Sequence, residues 1–147
     1  MPEPTPEAWI HPGVEVRRSD IAGRGLFATE DLPARTVVLR LTTGPGEGEH
    51  VDVLGAGFPN HCCDANLGWV DARSLATMTD VAADVELVTD YAMSTVDPAW
   101  FLRCHCPSYR CRQMVEGTDW RIPQLQARYD GWWAPRVQRL VEAARTA

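Results

Sequence analysis

Apolar and β-branched residues gather in short runs through the first ninety positions, and turn-forming residues separate the runs. Five such runs lie at 14–16, 37–41, 67–70, 75–78 and 85–89. Short runs in which apolar and polar positions alternate are typical of β-strands. A further short strand is predicted at 51–54, inside an acidic and glycine-rich connection that spans 42–57. This part of the chain is therefore predicted to be mainly β.

The spacing of the apolar residues becomes helical after position 120. They recur there at intervals of three and four residues, at Ile122, Leu125, Tyr129 and Trp132. Asp130 followed by Gly131 is typical of a helix end, and Pro135 suits the first turn of a second helix. We predict one or two C-terminal helices, which three tryptophans pack onto the sheet: Trp120, Trp132 and Trp133.

The length and composition describe one globular domain. The chain has 147 residues, of which 45% are apolar and 23% are charged, as is ordinary for such a domain. No apolar run approaches the roughly 18 residues of a membrane span, and the first residues, MPEPTPEAW, lack the features of a secretory signal. The net charge of −6 disfavours nucleic acid as the main partner. We therefore expect a cytoplasmic protein that binds neither membranes nor nucleic acids.

Five cysteines in a chain of cytoplasmic character indicate metal binding or thiol chemistry rather than disulfides. The last three form a C-x-C-x4-C pattern: Cys104, Cys106 and Cys111. Zinc takes four ligands in a tetrahedron, usually thiolates or imidazoles, so this pattern supplies three ligands from one short loop. The spacing leaves the fourth ligand open among four candidates: Cys62, Cys63, His61 and His105. Ordinary buried thiols are the alternative interpretation.

Four segments of the chain follow one another in an order that has a counterpart in a known family. They read IAGRGLFA at 21–28, NHCCDAN at 60–66, ELVTDY at 86–91 and CHCPSYRCR at 104–112. In this order they resemble the first motif, the N-H-S-C-x-P-N motif, the E-L-T-[FY]-D-Y motif and the post-SET zinc segment of SET-domain methyltransferases. One such motif alone is a weak signal, whereas four in this order are a strong one. The resemblance covers roughly 13–115.

The resemblance implies a mainly β, SET-type fold, the β-clip. Such a fold consists of small curved sheets with a knot-like threaded segment, formed where the second and third motifs meet. The chain is then divided into a flexible N-terminal tail at 1–12, a SET domain at 13–100, a post-SET zinc segment at 101–116 and a C-terminal helical extension at 117–147. Composition also favours the tail, because three prolines and two glutamates fall within the first eight residues.

The resemblance also implies a site for S-adenosylmethionine. In the family, the backbone of the first motif holds the methionine part of this cofactor, and the Asn-His pair of the second motif contacts it. The matching positions in this chain are Gly23, Arg24, Gly25, Asn60 and His61. The tyrosine that ends the third motif directs its hydroxyl at the methyl group, so Tyr91 is the expected catalytic and cofactor-contacting residue.

The expected zinc ligands follow from the same resemblance. In the family, the cysteine of the second motif joins the three post-SET cysteines, which assigns four ligands here: Cys63, Cys104, Cys106 and Cys111. Cys62 then stands where the family usually has serine. The expected function is S-adenosylmethionine-dependent methyl transfer to a lysine amine of a protein or peptide, with zinc as a structural ion.

Two departures from the family pattern motivate alternative functions. Asn60 follows Gly25 by only 35 positions, and Thr89 stands where the family has an aromatic residue that shapes the lysine channel. One alternative is methyl transfer from S-adenosylmethionine to a small molecule. The other is a zinc-stabilised binding module without catalysis. The sequence is also compatible with a homodimer.

Overall fold

The computed structural model describes residues 8–41 and 59–146. Within these ranges the chain forms nine β-strands in small antiparallel sheets and two C-terminal α-helices, which confirms the predicted mainly β architecture. The strands are β1 (Ala8–Ile10), β2 (Val14–Arg18), β3 (Arg24–Ala28), β4 (Val37–Leu41), β5 (Leu67–Trp69), β6 (Ser74–Thr77), β7 (Glu86–Leu87), β8 (Phe101–Arg103) and β9 (Met114–Glu116). The helices are α1 (Pro123–Arg128) and α2 (Pro135–Thr146). The strand predicted at 51–54 lies outside the described residues.

The strands form two main sheets and one separate hairpin. The larger sheet has the order β1-β4-β6-β5, the smaller one has the order β2-β3-β7, and β8 pairs with β9. All these pairings are antiparallel. Strand β6 lies between two neighbours and is buried along its whole length. It therefore forms the centre of the larger sheet.

The N-terminal boundary of the sheet differs from the prediction. Residues 8–10 were expected to belong to a flexible tail, but they form β1, in which Ala8 pairs with Leu41 and Ile10 with Leu39. Both side chains of β1 that face the core, Ala8 and Ile10, pack against it. The tail prediction is wrong for this strand because the prolines end at position 6 and three consecutive apolar residues follow at 8–10. Residues 1–7 lie outside the described part.

The segment 59–67 lies beside the segment 86–91, and the pairing of the two positions the candidate site. Thr89 pairs in parallel with His61 on one side and with Leu67 on the other. The backbone of Thr89 donates to the carbonyl of Asn60 at 3.1 Å and accepts from the N–H of Cys62 at 3.1 Å. Two segments about thirty residues apart in sequence are thus held side by side by backbone hydrogen bonds.

The two helices pack onto the sheets through large apolar side chains. Tyr129, Val137 and Val141 are almost fully buried, and they join the same core as the leucines of β3, β4 and β6. As predicted, Trp120 and Trp133 are buried in this core and Trp132 packs against it. Among the described residues, no helix combines the length and the apolar composition that crossing a membrane requires.

The hairpin β8–β9 encloses the last three cysteines, and the sequence did not predict it. Its loop is closed by the N–H of Cys104, which donates to the carbonyl of Gln113 at 2.8 Å. Gln113 adopts a positive φ of 64°, a conformation that a side chain disfavours outside tight turns. Burial alternates along the two strands, and Val115 is fully buried. The exposed side chains include the apolar Phe101, so the sequence itself does not show this alternation.

Candidate functional site

Four of the five cysteines form a compact cluster. The sulfur atoms of this cysteine cluster all lie within 4.8 Å of one another, and they belong to Cys63, Cys104, Cys106 and Cys111. Cys63 Sγ and Cys104 Sγ are 3.9 Å apart. Thiolates that hold zinc tetrahedrally at about 2.3 Å have neighbouring sulfur atoms about 3.8 Å apart. Small side-chain movements would therefore close these four thiols on a metal ion such as zinc.

The other ligand candidates lie outside the cysteine cluster. Cys62 is buried but is not one of the four clustered sulfurs, and His105 is exposed. His61 Nε2 lies 3.3 Å from Cys63 Sγ, so it contacts one sulfur of the cluster and is not one of the four. Among these candidates for a fourth ligand, the structure brings Cys63 to the three cysteines of the hairpin loop.

The thiols of the cysteine cluster and the thiol of Cys62 differ in acidity. Burial raises the pKa of Cys63 to about 11 and that of Cys62 to about 12. Burial also opposes the thiolate of Cys106, but hydrogen bonds from the backbone of Cys63 and the thiol of Cys104 outweigh it and lower the pKa to about 7. Metal ions bind the thiolate form, and Cys106 therefore presents part of the population in that form near neutral pH.

Asn60 joins the first motif to the third. Its amide nitrogen lies 3.0 Å from the carbonyl oxygens of both Ala22 and Arg24, and 2.9 Å from a carboxylate oxygen of Glu86. The hydroxyl of Ser19 donates to the same carboxylate at 2.8 Å. Asn60 is almost fully buried, so these bonds replace those that its amide would make with water.

Two glycines shape the turn that Asn60 holds. Gly23 has a positive φ of 46°, which glycine adopts without steric cost. Gly25 is buried, and a Cβ added there would collide with the carboxylate of Glu86 and approach the amide of Asn60. Gly25 thus allows β3 to approach the Asn60 side chain, while Gly23 and Arg24 remain exposed beside it.

His61 joins Asn60 to Tyr91. Its Nδ1 accepts the backbone N–H of Tyr91 at 3.0 Å, and the two rings meet edge to face with centroids 5.2 Å apart. Burial lowers the pKa of His61 to about 4, so the ring is neutral near pH 7 and Nδ1 is free of a proton. The hydroxyl of Tyr91 donates to the carbonyl of Pro59 at 2.8 Å. All six positions expected to contact a cofactor therefore lie in one continuous cluster.

A buried ionic network connects this cluster with the cysteines, and the sequence did not predict it. Arg112 Nη1 and Nη2 lie 2.7 and 3.0 Å from the two carboxylate oxygens of Asp90, and Arg112 Nε lies 3.0 Å from Asp119. Burial alone would raise the pKa of Asp90, but the hydrogen bonds and charge of Arg112 outweigh it and hold that pKa below its usual range. The only sequence signals were the aspartate within ELVTDY and the arginine that follows Cys111.

Comparison of this chain with protein-family models, and with curated proteins, finds no match. The functional argument therefore rests on the chemistry and arrangement of its own residues.

Proposed function

We propose that this protein is a SET-type methyltransferase that uses S-adenosylmethionine and transfers its methyl group to a lysine amine of a protein or peptide. The observation that carries the proposal is the meeting of three separate motifs on the pair Asn60–His61. Asn60 holds the exposed turn at 22–24, and His61 holds the backbone of Tyr91. The cysteine cluster adjoins the same pair through the contact of His61 with Cys63.

The surface of the first motif suits the methionine part of the cofactor. Arg24 is exposed and forms no ion pair with any described residue, so its guanidinium is available for a carboxylate. The neighbouring Gly23 carries no side chain, which leaves the backbone of the turn open to close approach. These features support the assignment of Gly23, Arg24 and Gly25 to cofactor binding.

The residues of the chain act on the reaction by orientation. When bound, S-adenosylmethionine would supply an activated methyl group, and its transfer to the lone pair of a neutral amine would form a carbon–nitrogen bond as the carbon–sulfur bond breaks with its electrons left on sulfur. Holding the amine, methyl carbon and sulfur in line can supply roughly 7–11 kcal/mol of the barrier. A free lysine has a pKa of about 10.4, and a nearby positive charge with little water favours its neutral form. In this proposal Tyr91 orients the amine and the methyl group, and the lysine ammonium loses its proton to solvent before the methyl group is transferred.

The first test is a calorimetric titration of zinc-loaded protein with S-adenosylmethionine, with the zinc content measured on the same sample. We expect micromolar binding and one zinc per chain. An Arg24→Met variant should bind the cofactor about tenfold more weakly, because it lacks a charged partner for the carboxylate. Folded, zinc-loaded protein without affinity for the cofactor would overturn the enzyme and favour a zinc-stabilised binding module.

The second test follows labelled methyl groups. We expect transfer from S-adenosylmethionine to proteins in a lysine-containing extract, and a loss of about a hundredfold or more in Tyr91→Phe, as for other single donors at a reaction centre. Tyr109→Phe is the matched control, because that side chain is 88% exposed. Label that appears only in a metabolite extract would move the substrate to the small-molecule class, which the position of Thr89 first suggested.

A further inference from the structure

Arg112 contacts both the cysteine cluster and the segment that carries Tyr91. Its backbone N–H donates to Cys63 Sγ at 3.3 Å. Its guanidinium spans the two carboxylate oxygens of Asp90, the residue directly before Tyr91, at 2.7 and 3.0 Å. The guanidinium of Arg112 also lies 3.0 Å from Asp119. One residue thus joins a sulfur that can bind metal to the neighbour of the expected catalytic tyrosine.

Asp90 in turn determines where Tyr91 lies. Its carboxylate accepts the N–H of Ala92 at 3.0 Å and so caps the short 3₁₀ helix Tyr91–Met93. Asp90 is fully buried, so solvent at the surface does not take the place of Arg112 at its carboxylate. A cap that depends on a buried charge is only as fixed as the counter-charge beside it. Arg112 therefore holds the cap that places Tyr91, together with the hydroxyl of Tyr129, which lies 3.1 Å from the same carboxylate.

The path through Arg112 is distinct from the path through His61. His61 Nδ1 also accepts the N–H of Tyr91, and its Nε2 contacts Cys63, so this path consists of one contact at each end. The guanidinium of Arg112 makes two bonds to the carboxylate of Asp90, at 2.7 and 3.0 Å, and a third to Asp119 at 3.0 Å. Charge-assisted and paired bonds are the stronger ones, so we expect Arg112 to dominate the link.

We propose that Arg112 is a positioning residue that couples metal occupancy of the cysteine cluster to the placement of Tyr91. When the four thiolates close on an ion, the loop that contains Cys111 and Arg112 is fixed, and the guanidinium holds Asp90 and its cap. When the ion is absent, the loop and the cap loosen together. The consequence for catalysis rests on the proposed function, whereas the coupling itself does not.

The test is amide hydrogen exchange by NMR, with zinc and after its removal by a chelator. The reporters are the amides of Tyr91 and Ala92. The amides of Leu32 and Val81, which bond to each other's carbonyls far from the cysteines, report global unfolding. In the wild type we expect zinc removal to accelerate the two reporters about tenfold or more while the remote pair changes little, as in local opening.

Three variants locate the coupling. Arg112→Met keeps the backbone bond to Cys63, so we expect it to bind zinc while its reporters exchange fast both with and without the ion. Arg112→Lys keeps a charge and guards against a failure of the methionine variant to fold. With zinc, its reporters should exchange at a rate between those of the wild type and Arg112→Met. Arg110→Met, in the same loop but exposed, should behave like the wild type.

Two outcomes would overturn the coupling through Arg112. One is an unchanged exchange rate at Tyr91 and Ala92 when zinc leaves the wild type. The other is that zinc removal accelerates exchange at Tyr91 and Ala92 in Arg112→Met as much as in the wild type. The link would then run elsewhere, through His61. Neither outcome depends on methyl transfer. If transfer is found, Arg112→Lys should lower kcat more than it raises KM, because it displaces Tyr91 and leaves the cofactor turn at 22–24 intact.

Discussion

Two buried polar regions meet where the rings of Tyr129 and Trp133 pack edge to face. The polar groups of one region have hydrogen-bond partners, and those of the other do not. In the paired region, every charged group has a partner within 3.1 Å, and its members are Asp90, Arg112, Asp119 and Tyr129. In the unpaired region, three buried polar atoms have no hydrogen-bond partner in the part of the chain that the structure describes: Trp69 Nε1, Trp133 Nε1 and Gln138 Oε1. These three residues line a cavity of about 550 Å³.

The contrast shows that burial alone does not tell whether a polar group stabilises the fold. A paired group is costly to remove because its partner is left without a bond in a place that water does not reach. An unpaired group already bears that cost in the folded state, so replacing it with an apolar group of similar shape is close to neutral or stabilising. Substitutions in the two regions should therefore have opposite consequences.

The largest effect is expected at the cysteine cluster, which adjoins the paired region through Arg112. Cys106→Ser removes one of four ligands, so zinc per chain should fall from one toward zero. With free zinc at about a thousand times its dissociation constant, the lost stabilisation is about 4 kcal/mol. Elemental analysis measures the zinc content per chain, and the zinc dependence of Tm measures the lost stabilisation. Cys62→Ser is the matched control and should keep the ion, so an equal loss in that variant would place the fourth ligand at Cys62.

The next effect is expected when the paired region loses its cation. Arg112→Met leaves the carboxylates of Asp90 and Asp119 buried beside an apolar side chain, and breaking such a pair costs about 3–5 kcal/mol. The Arg112 side chain is 15% exposed, so we expect a cost near the lower end of this range. Urea unfolding of the zinc-loaded protein measures the change. Arg110→Met removes an arginine whose pair with Asp64 is exposed, and it should change the free energy of unfolding by less than about 1 kcal/mol.

The outer architecture was predictable because it depends on local patterns. The runs that begin at 14, 37, 67 and 75 became β2, β4, β5 and β6, and the helix start at Pro135 was correct. These elements have a face that is regularly apolar, which the sequence displays directly. Strand β1 was missed because the prolines before it suggested a tail. The hairpin β8–β9 was missed because two of its outward residues, Phe101 and Met114, are apolar, so its apolar and polar positions do not alternate.

The candidate site was predictable in its members but not in its connections. The motifs grouped Asn60, His61 and Tyr91, but no spacing rule says that the amide of Asn60 reaches the carbonyls of the turn at 22–24. The bond between Arg112 and Asp90 joins positions 22 residues apart in sequence. Such contacts depend on how the hairpin β8–β9 packs beside the paired segments 59–67 and 86–91, and only the folded chain fixes that arrangement.

A smaller change sharpens the account of the paired region. The hydroxyl of Tyr129 lies 3.1 Å from Asp90 and 3.2 Å from the carbonyl of Cys63, and burial together with the charge of Asp90 raises the pKa of Tyr129. Tyr129→Phe keeps the ring and removes one bond to a charged group, which costs about 1.5–3 kcal/mol. Thermal unfolding measures the loss. Tyr109→Phe, with an exposed ring, should leave Tm unchanged, and an unchanged Tm in Tyr129→Phe would mean that Arg112 and the N–H of Ala92 satisfy Asp90 without the hydroxyl.

The smallest effect, and the one with the opposite sign, is expected in the unpaired region. In α2, Gln138 donates through Nε2 to the exposed Glu142 at 3.2 Å, while its buried Oε1 has no partner among the described residues. Gln138→Met keeps the length of the side chain, loses a helix-surface pair that stabilises by about 0.2–0.5 kcal/mol and removes an unsatisfied acceptor whose burial costs about 1 kcal/mol. We expect the free energy of unfolding to stay constant or to rise by up to about 1 kcal/mol.

Gln126 offers the matched comparison, because the same substitution there removes a bond that is made. Its Nε2 donates to the carbonyl of Trp120 at 2.9 Å in a half-buried position, so Gln126→Met should cost about 1 kcal/mol. Both variants are measured by urea unfolding under identical conditions. If Gln138→Met destabilised the protein as much as Gln126→Met, the oxygen of Gln138 would have a partner in solution, such as a bound water molecule. The polar groups of both buried regions would then have hydrogen-bond partners, which are side chains in one region and solvent in the other.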